Sequence, residues 1–325
     1  MAAYDQAGNV IVLTGHEDGE LRHTILGAAA APRTLMRDRA AWQGPWLISY
    51  AGQPAAVTIA RDGLVEVSSV TDGHPVGMPS FKIADGEAIA AGNAGQRCLL
   101  VTAADGGRLA SEVAVWDLET GTVLGPPLRP AEHFADRDFL QGRDRHLSFA
   151  AVIAEDNGRP ILLAGITNAN AAYGGLIVPW DPVCGKPAGK PLSSLGAPQC
   201  VLYAQSGNGH LWCWGDVHGN LYLARDDDAA VEHVAAHDVF MSAITGCEQP
   251  EGPVIVTGGG DGAVRAWRPG TGHLELPGGG YEGLVITRSA ADGRTVITSL
   301  ADDGTCPVLD AADGQIVTHL TRFRE

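Results

Sequence analysis

Lysine is nearly missing from this chain, with only Lys82, Lys186 and Lys190 among 22 basic residues, and these are outnumbered by 38 acidic ones for a net charge of −16. A surplus of that sign repels nucleic acid and anionic membrane at long range, so neither is an expected partner. Cysteine is sparse and scattered: Cys98, Cys184, Cys200, Cys213, Cys247 and Cys306 include no C-x-x-C spacing. That argues against zinc sites and a disulfide framework, and predicts buried free thiols in a reducing compartment. No run approaches the ~18 apolar residues of a membrane span, and Met1 to Val10 lacks a basic segment followed by an apolar one. A soluble, cytoplasmic protein without a leader is expected. No segment carries the i, i+3, i+4, i+7 apolar pattern over the length of a substantial helix. Low lysine with abundant alanine and glycine is also the composition that a GC-rich bacterial genome encodes.

What the chain does have is 43 glycines and a phrase that recurs. A hydroxyl or β-branched residue, three spacer residues and Asp-Gly stand between apolar runs at Thr14…Asp18-Gly19, Thr58…Asp62-Gly63, Thr257…Asp261-Gly262 and Ser299…Asp303-Gly304. Trp214…His218-Gly219 is a degenerate copy. Successive glycines at 19 and 63, 219 and 262, and 262 and 304 are separated by 44, 43 and 42 residues. Apolar runs joined by Asp-Gly read as hairpins, because glycine supplies the positive φ that such turns need. Further turn signals at Thr71-Asp72-Gly73, Glu119-Thr120-Gly121, Gly270-Thr271-Gly272 and Asp313-Gly314 precede short strands such as His74 to Met78 and Gln315 to Leu320. Each unit therefore has four strands. Repeats of this length are stacked modules rather than separate domains.

The units fall at about 1–39, 40–83, 84–130, 131–194, 195–236, 237–279 and 280–325. Three carry a tryptophan near the end of the third strand, in Val113-Ala114-Val115-Trp116-Asp117, Leu176-Ile177-Val178-Pro179-Trp180-Asp181 and Val264-Arg265-Ala266-Trp267-Arg268. Thr24, Ser68, Ala224 and Leu309 stand there in the others. On these residues the chain resembles the WD40 family. The resemblance implies an all-β, seven-bladed β-propeller of four-stranded antiparallel blades, as one domain spanning 1–325. It further implies a structural hydrogen-bonded tetrad of His237, Thr257, Asp261 and Trp267. The same residue types would suit a nucleophilic triad. The Thr/Asp offset, however, recurs in units where no histidine precedes it, and a recurring element is scaffold.

Function is expected where the repeat is broken. Insertions at 105–112 and 168–175 and the connector 131–146 interrupt the spacing, and a further irregular stretch, 28–46, joins the first two units. By analogy with the family, the three insertions open on one face over units 3 and 4. Arg137, Phe139 and Arg143 in the connector, Tyr173 in the second insertion, and Arg37 and Trp42 in the first linker mix guanidinium and aromatic groups, as contact hot spots do. The competing reading is that Phe134 and Phe139 pin a long loop and the charges are solvated. His16-Glu17-Asp18 lies in a tight turn that the repeat explains, and Gly258 to Gly262 lacks the helix and lysine of a phosphate cradle, so no metal or cofactor is expected. The expectation is a non-catalytic scaffold, monomeric in isolation, for a protein or peptide partner. The alternative is a small-molecule or sugar-binding propeller, or an enzyme at the channel mouth.

Overall fold

A computed structural model describes residues 2–4, 10–15, 21–25, 33–36, 41–83, 87–103, 112–133, 145–156, 158–168, 174–206, 209–225, 231–249, 252–269, 272–276, 282–288, 295–300, 306–310 and 313–320. These residues form seven antiparallel sheets, each a meander whose strands pair in chain order. The first comprises Ala2–Tyr4, Val10–Gly15, Leu21–Ile25 and Arg33–Met36, and the second Ala41–Tyr50, Gln53–Ala60, Leu64–Ser69 and Phe81–Lys82. The third comprises Glu87–Ala94, Arg97–Ala103, Val113–Asp117 and Thr122–Val123. In the fourth, Arg145–Asp156, Arg159–Asn168 and Gly175–Asp181 are edged by two pieces, Lys186–Pro187 and Leu192–Ser194. The fifth holds Pro198–Ser206, Gly209–Asp216, Asn220–Arg225 and Glu232–Ala235. The sixth holds Met241–Gln249, Gly252–Gly259, Val264–Arg268 and Gly272–Leu276, and the seventh Glu282–Arg288, Thr295–Leu300, Cys306–Asp310 and Ile316–Leu320. One helical turn, Pro130–His133, interrupts an otherwise all-β chain among the described residues. No helix there is long and apolar enough to cross a membrane.

The chain divides into two compact units, one of residues 1–147, 151–164 and 178–190 and the other of 148–150, 165–177 and 191–325. The fourth sheet contributes to both. Within the first unit, Leu13 and Leu21 of the first sheet pack on Ala56 and Val70 beside the second, and Val57, Ile59 and Val65 share a cluster with Cys98 and Leu100 of the third. Within the second unit, Ile177 meets Trp214 and Tyr222 of the fifth sheet, Leu211 and Cys213 meet Ile255 and Trp267 of the sixth, and Val254 and Val256 meet Ile297 and Leu309 of the seventh. Consecutive sheets thus lie face on face. This is why the second strands are continuous apolar runs: both faces of Arg97–Ala103 and Gly252–Gly259 are covered, and all but the first residue of each is buried. Third strands such as Val113–Asp117 alternate, and the described outermost strand Glu232–Ala235 is exposed throughout.

Outer strands are broken by a second motif that the Asp-Gly phrase obscures. Gly73-His74-Pro75-Val76-Gly77-Met78-Pro79, Gly121-Thr122-Val123-Leu124-Gly125-Pro126-Pro127 and Gly185-Lys186-Pro187-Ala188-Gly189-Lys190-Pro191 share glycine at the first and fifth positions and proline at the seventh. The leading glycines have φ of 77°, 66° and 69°. The amides of Gly121 and Gly185 donate to the carbonyls of Asp117 and Asp181, 2.9 Å each, and those carboxylates also accept from the next turn's N–H groups. The aspartate after tryptophan is therefore a turn cap. Proline then interrupts the ladder, so the edge is cut to strands of two or three residues, with isolated bridges from Ser68 to Pro75 and from Val113 to Leu128. Interrupted, proline-bearing edges do not template pairing with another chain.

Several expectations need correction. His74 to Met78 is not a strand, because Pro75 and Pro79 break it, and the sheet edge is Phe81–Lys82 instead. The described residues of the irregular stretch 28–46 are strand, with Arg33 in Arg33–Met36 and Trp42 and Trp46 in Ala41–Tyr50. Arg145 and His146, read as connector, begin a strand. Cys184 is exposed in a turn rather than buried, whereas Cys98 and Cys213 are buried.

Glycine at 219 is required twice over: its φ is 80°, and a Cβ there would collide with the carbonyl oxygens of His237 and Val239. Gly52, at φ 74°, faces open space. Urea denaturation is expected to show Gly52→Ala losing about 1 kcal/mol from left-handed strain alone, and Gly219→Ala about 2–4 kcal/mol from strain plus collision. Equal losses would show that the contact with the connector is not tight.

Candidate functional site

The sixth sheet brings His237, Thr257, Asp261 and Trp267 together. Thr257 Oγ1 accepts from the indole Nε1 of Trp267 at 2.9 Å and lies 2.9 Å from Nε2 of His237. Nδ1 of His237 is 2.9 Å from Asp261 Oδ1. A fifth member, Arg265, donates to Asp261 Oδ2 at 2.8 Å and places the same Nη1 2.7 Å from His237 Nδ1. Each tautomer serves one neighbour. With the proton on Nδ1, Asp261 accepts it and the Thr257 hydroxyl donates to Nε2; with it on Nε2, Arg265 donates to Nδ1. Thr257 is fully buried, so a nucleophile there has no exposed surface. What the network does is hold the connector that enters the sixth sheet: Asp261 Oδ2 also accepts from the Asp238 amide at 3.3 Å, and the Gly260 amide donates to the Phe240 carbonyl at 2.9 Å. The third sheet keeps one link of the same chain, Trp116 Nε1 donating to Thr102 Oγ1 at 2.9 Å.

The fifth sheet builds an equivalent clamp from different residues. Its carboxylate is Asp216, buried completely at the end of the second strand, two residues before the position where the repeat places His218. Asp216 accepts from the amides of His218 at 2.9 Å and Asn220 at 3.0 Å, from Gly196 N at 3.1 Å and from the Tyr222 hydroxyl at 2.8 Å. The Tyr222 oxygen in turn accepts from the Leu195 amide at 2.9 Å. Tyr222 lies 43 residues before Arg265 and does the same work against the shifted carboxylate. Its ring stacks on Trp214 with centroids 5.0 Å apart. Burial, with the hydrogen bond to Asp216 added, pushes its hydroxyl up to about 12, so it stays a proton donor.

Between them the clamps present three apolar side chains to solvent: Leu195 (62% exposed), Val239 (41%) and Phe240 (43%). The turn Asp216 to Asn220 touches both connectors. A side chain at Gly196 would meet His218 and Val217, one at Gly219 the connector backbone at 237 and 239, and one at Gly260 the Phe240 ring and Val239. Leu195, His218, Val239 and Phe240 therefore follow one another along a ridge at one end of the fifth and sixth sheets. The sequence reading missed it, because Leu195 and Phe240 sit beside strands and look like core. The glycines at 196, 219 and 260, each next to a connector, were the available signal.

Of the residues expected to contact a partner, Arg37, Arg137, Phe139, Arg143 and Tyr173 lie outside the described residues, and Trp42 is placed only as a strand residue of Ala41–Tyr50. The first insertion is described only from Glu112, which accepts from Arg129 Nε at 3.0 Å. Among the described residues no cluster of histidine, cysteine, aspartate or glutamate has the geometry of a metal site.

No protein-family model matches the sequence, and no curated protein matches it. Among solved structures, the computationally designed Ika8 protein is similar, with a TM-score of 0.59 and 20% identity over 98% of this chain and 85% of that one. At that identity the likeness shows fold alone. The chain is accordingly a nearly all-β, propeller-like protein of repeated four-stranded antiparallel sheets.

Two measurements test the clamps. Burial lowers the His237 pKa against the opposing pull of Asp261, so the unfolded chain takes up a proton that the folded chain refuses. Stability is expected to fall as pH drops through ~6.5, with a shallower slope in His237→Gln. Burial acts to raise Asp261, but the hydrogen bonds from Arg265, Ala263 N and His237 outweigh it and hold the carboxyl well below the usual range. Its contribution is present above the ordinary carboxylate range and is lost as pH falls towards the depressed folded value, a second and more acidic step. Separately, Tyr222→Phe removes one donor from Asp216 and the acceptor of the Leu195 amide, and is expected to cost about 1–3 kcal/mol in urea denaturation.

Proposed function

We propose that this chain is a WD40-like propeller acting as a non-catalytic interaction module in the cytoplasm of a bacterium, monomeric alone, with a protein or peptide partner. The observation that carries the reading is the ridge of Leu195, Val239 and Phe240. Exposed apolar side chains on connectors are ordinary when scattered, but here three stand on two connectors that hydrogen bonds to Asp216, Tyr222 and Asp261 hold in place. A surface whose shape is set in advance loses little entropy on binding. An aromatic anchor among aliphatic groups with a polar surround (His218, Asp238) has the composition of a contact hot spot. Arg37, Trp42, Arg137, Phe139, Arg143 and Tyr173 are a second group of candidate contacts in this proposal.

Affinity capture from the native host, with the wild-type chain, Leu195→Asp, Phe240→Asp and the triple change Arg137→Ala, Phe139→Ala, Arg143→Ala, tests it. The ridge variants are expected to retain the wild-type melting temperature and lose the specifically captured protein. An identical set captured by every variant would remove the assignment.

A further inference from the structure

Away from the clamps, three hairpin turns of the first compact unit enclose a cleft of about 680 Å³. The turn leading into Arg97–Ala103 supplies Gln96 and Arg97, the turn leading into Arg159–Asn168 supplies Glu155 and Arg159, and the turn after Gly175–Asp181 supplies Asp181 and Val183. Arg97 and Arg159 occupy the same repeat position, the first residue of the second strand in neighbouring sheets. Both are exposed, and neither guanidinium has a hydrogen bond or ion pair among the described residues. Asp181 Oδ1 caps its own turn through the amides of Val183 (2.8 Å) and Cys184 (3.3 Å), leaving Oδ2 without a donor among the described residues. The Glu155 carboxylate packs against Gly95, in the space that a side chain there would take.

We propose that this cleft binds a small zwitterion of the amino-acid or dipeptide class. Among the described residues its lining carries two guanidinium groups and two carboxylates, and the guanidinium groups of Arg97 and Arg159 and Oδ2 of Asp181 offer donors and an acceptor to a ligand. Guanidinium recognises carboxylate by paired N–H donors, and carboxylate oxygens accept from an ammonium. The volume is within the ~300–1,000 Å³ of small-ligand sites. Among the described residues no aromatic side chain lines the cleft to give a nucleobase or the apolar face of a sugar a ring to stack on. In this arrangement Arg97 and Arg159 take the ligand carboxylates, Gln96 adds an amide, and Asp181 Oδ2 takes the ammonium, with Glu155 adding negative charge to the same cleft.

Isothermal titration with the dipeptide Gly-Glu at low salt tests the site, against N-acetyl-Gly-Glu, which lacks the ammonium, and Gly-Gln amide, which lacks both carboxylates. Gly-Glu is expected to bind at least about tenfold more tightly than either control, with Arg97→Ala and Arg159→Ala each weakening it by about tenfold or more. Asp181→Asn tests the ammonium contact but also touches the turn cap, so Glu155→Gln is the cleaner variant. It is expected to narrow the gap between Gly-Glu and its acetylated form. Absence of binding at millimolar Gly-Glu, or unchanged affinity in a folded Arg97→Ala, Arg159→Ala double variant, would overturn the proposal. The ridge variants Leu195→Asp and Phe240→Asp are expected to bind Gly-Glu as the wild type does, which separates this site from the proposed partner surface.

Discussion

A carboxylate beside a hairpin, hydrogen-bonded by donors from its own turn and from the preceding connector, is the constraint on which the described loop geometry of the fifth and sixth sheets depends. Strand pairing fixes strands but says nothing about how chain passes from one sheet to the next. Asp216 and Asp261 supply that information, since each joins a turn to a connector from the preceding unit. An unsatisfied buried carboxylate is costly enough that the connector and turn are held as a pair. Glycine at 196, 219 and 260 is the steric complement, because the backbones approach too closely for a side chain.

The two clamps reach one result with different chemistry. In the sixth sheet the partners are an imidazole and a guanidinium; in the fifth they are a phenol and an asparagine, and the acid has moved from the turn onto the strand. What is kept is a hydrogen-bonded anion, a donor on the third strand and a backbone N–H from the connector. Residue identity is free to vary so long as those three roles are filled together. A single clamp half converted, with the acid moved but no donor following it, would leave a buried charge without enough partners.

This explains which parts of the molecule could be read from the chain. Thr257 and Asp261 were legible because they repeat at a constant offset, and Trp267 and His237 because they stand where the resemblance implies partners. Asp216 was not, since aligning on Asp-Gly assigns its role to His218 and treats the copy as worn. The strand content followed from periodicity and turn residues, yet Pro75 and Pro79 overrode the apolar pattern of His74 to Met78. The ridge was invisible because exposure is a property of three dimensions. Leu195, Val239 and Phe240 have the hydrophobicity of core residues, and only the carboxylate-held connectors turn them outward.

Every sheet is a meander whose strands pair with neighbours close in sequence, the two edge pieces of the fourth both pairing with its third strand. The chain therefore never waits for a distant segment to complete a ladder, and loop-closure entropy within each sheet is small. During synthesis a sheet can assemble as soon as its own stretch of about 40 residues has left the ribosome, and its two-sided second strand then offers a ready apolar face to the next sheet to emerge. The order of translation becomes the order of stacking, and the connector clamps close only when the following hairpin arrives to supply the carboxylate.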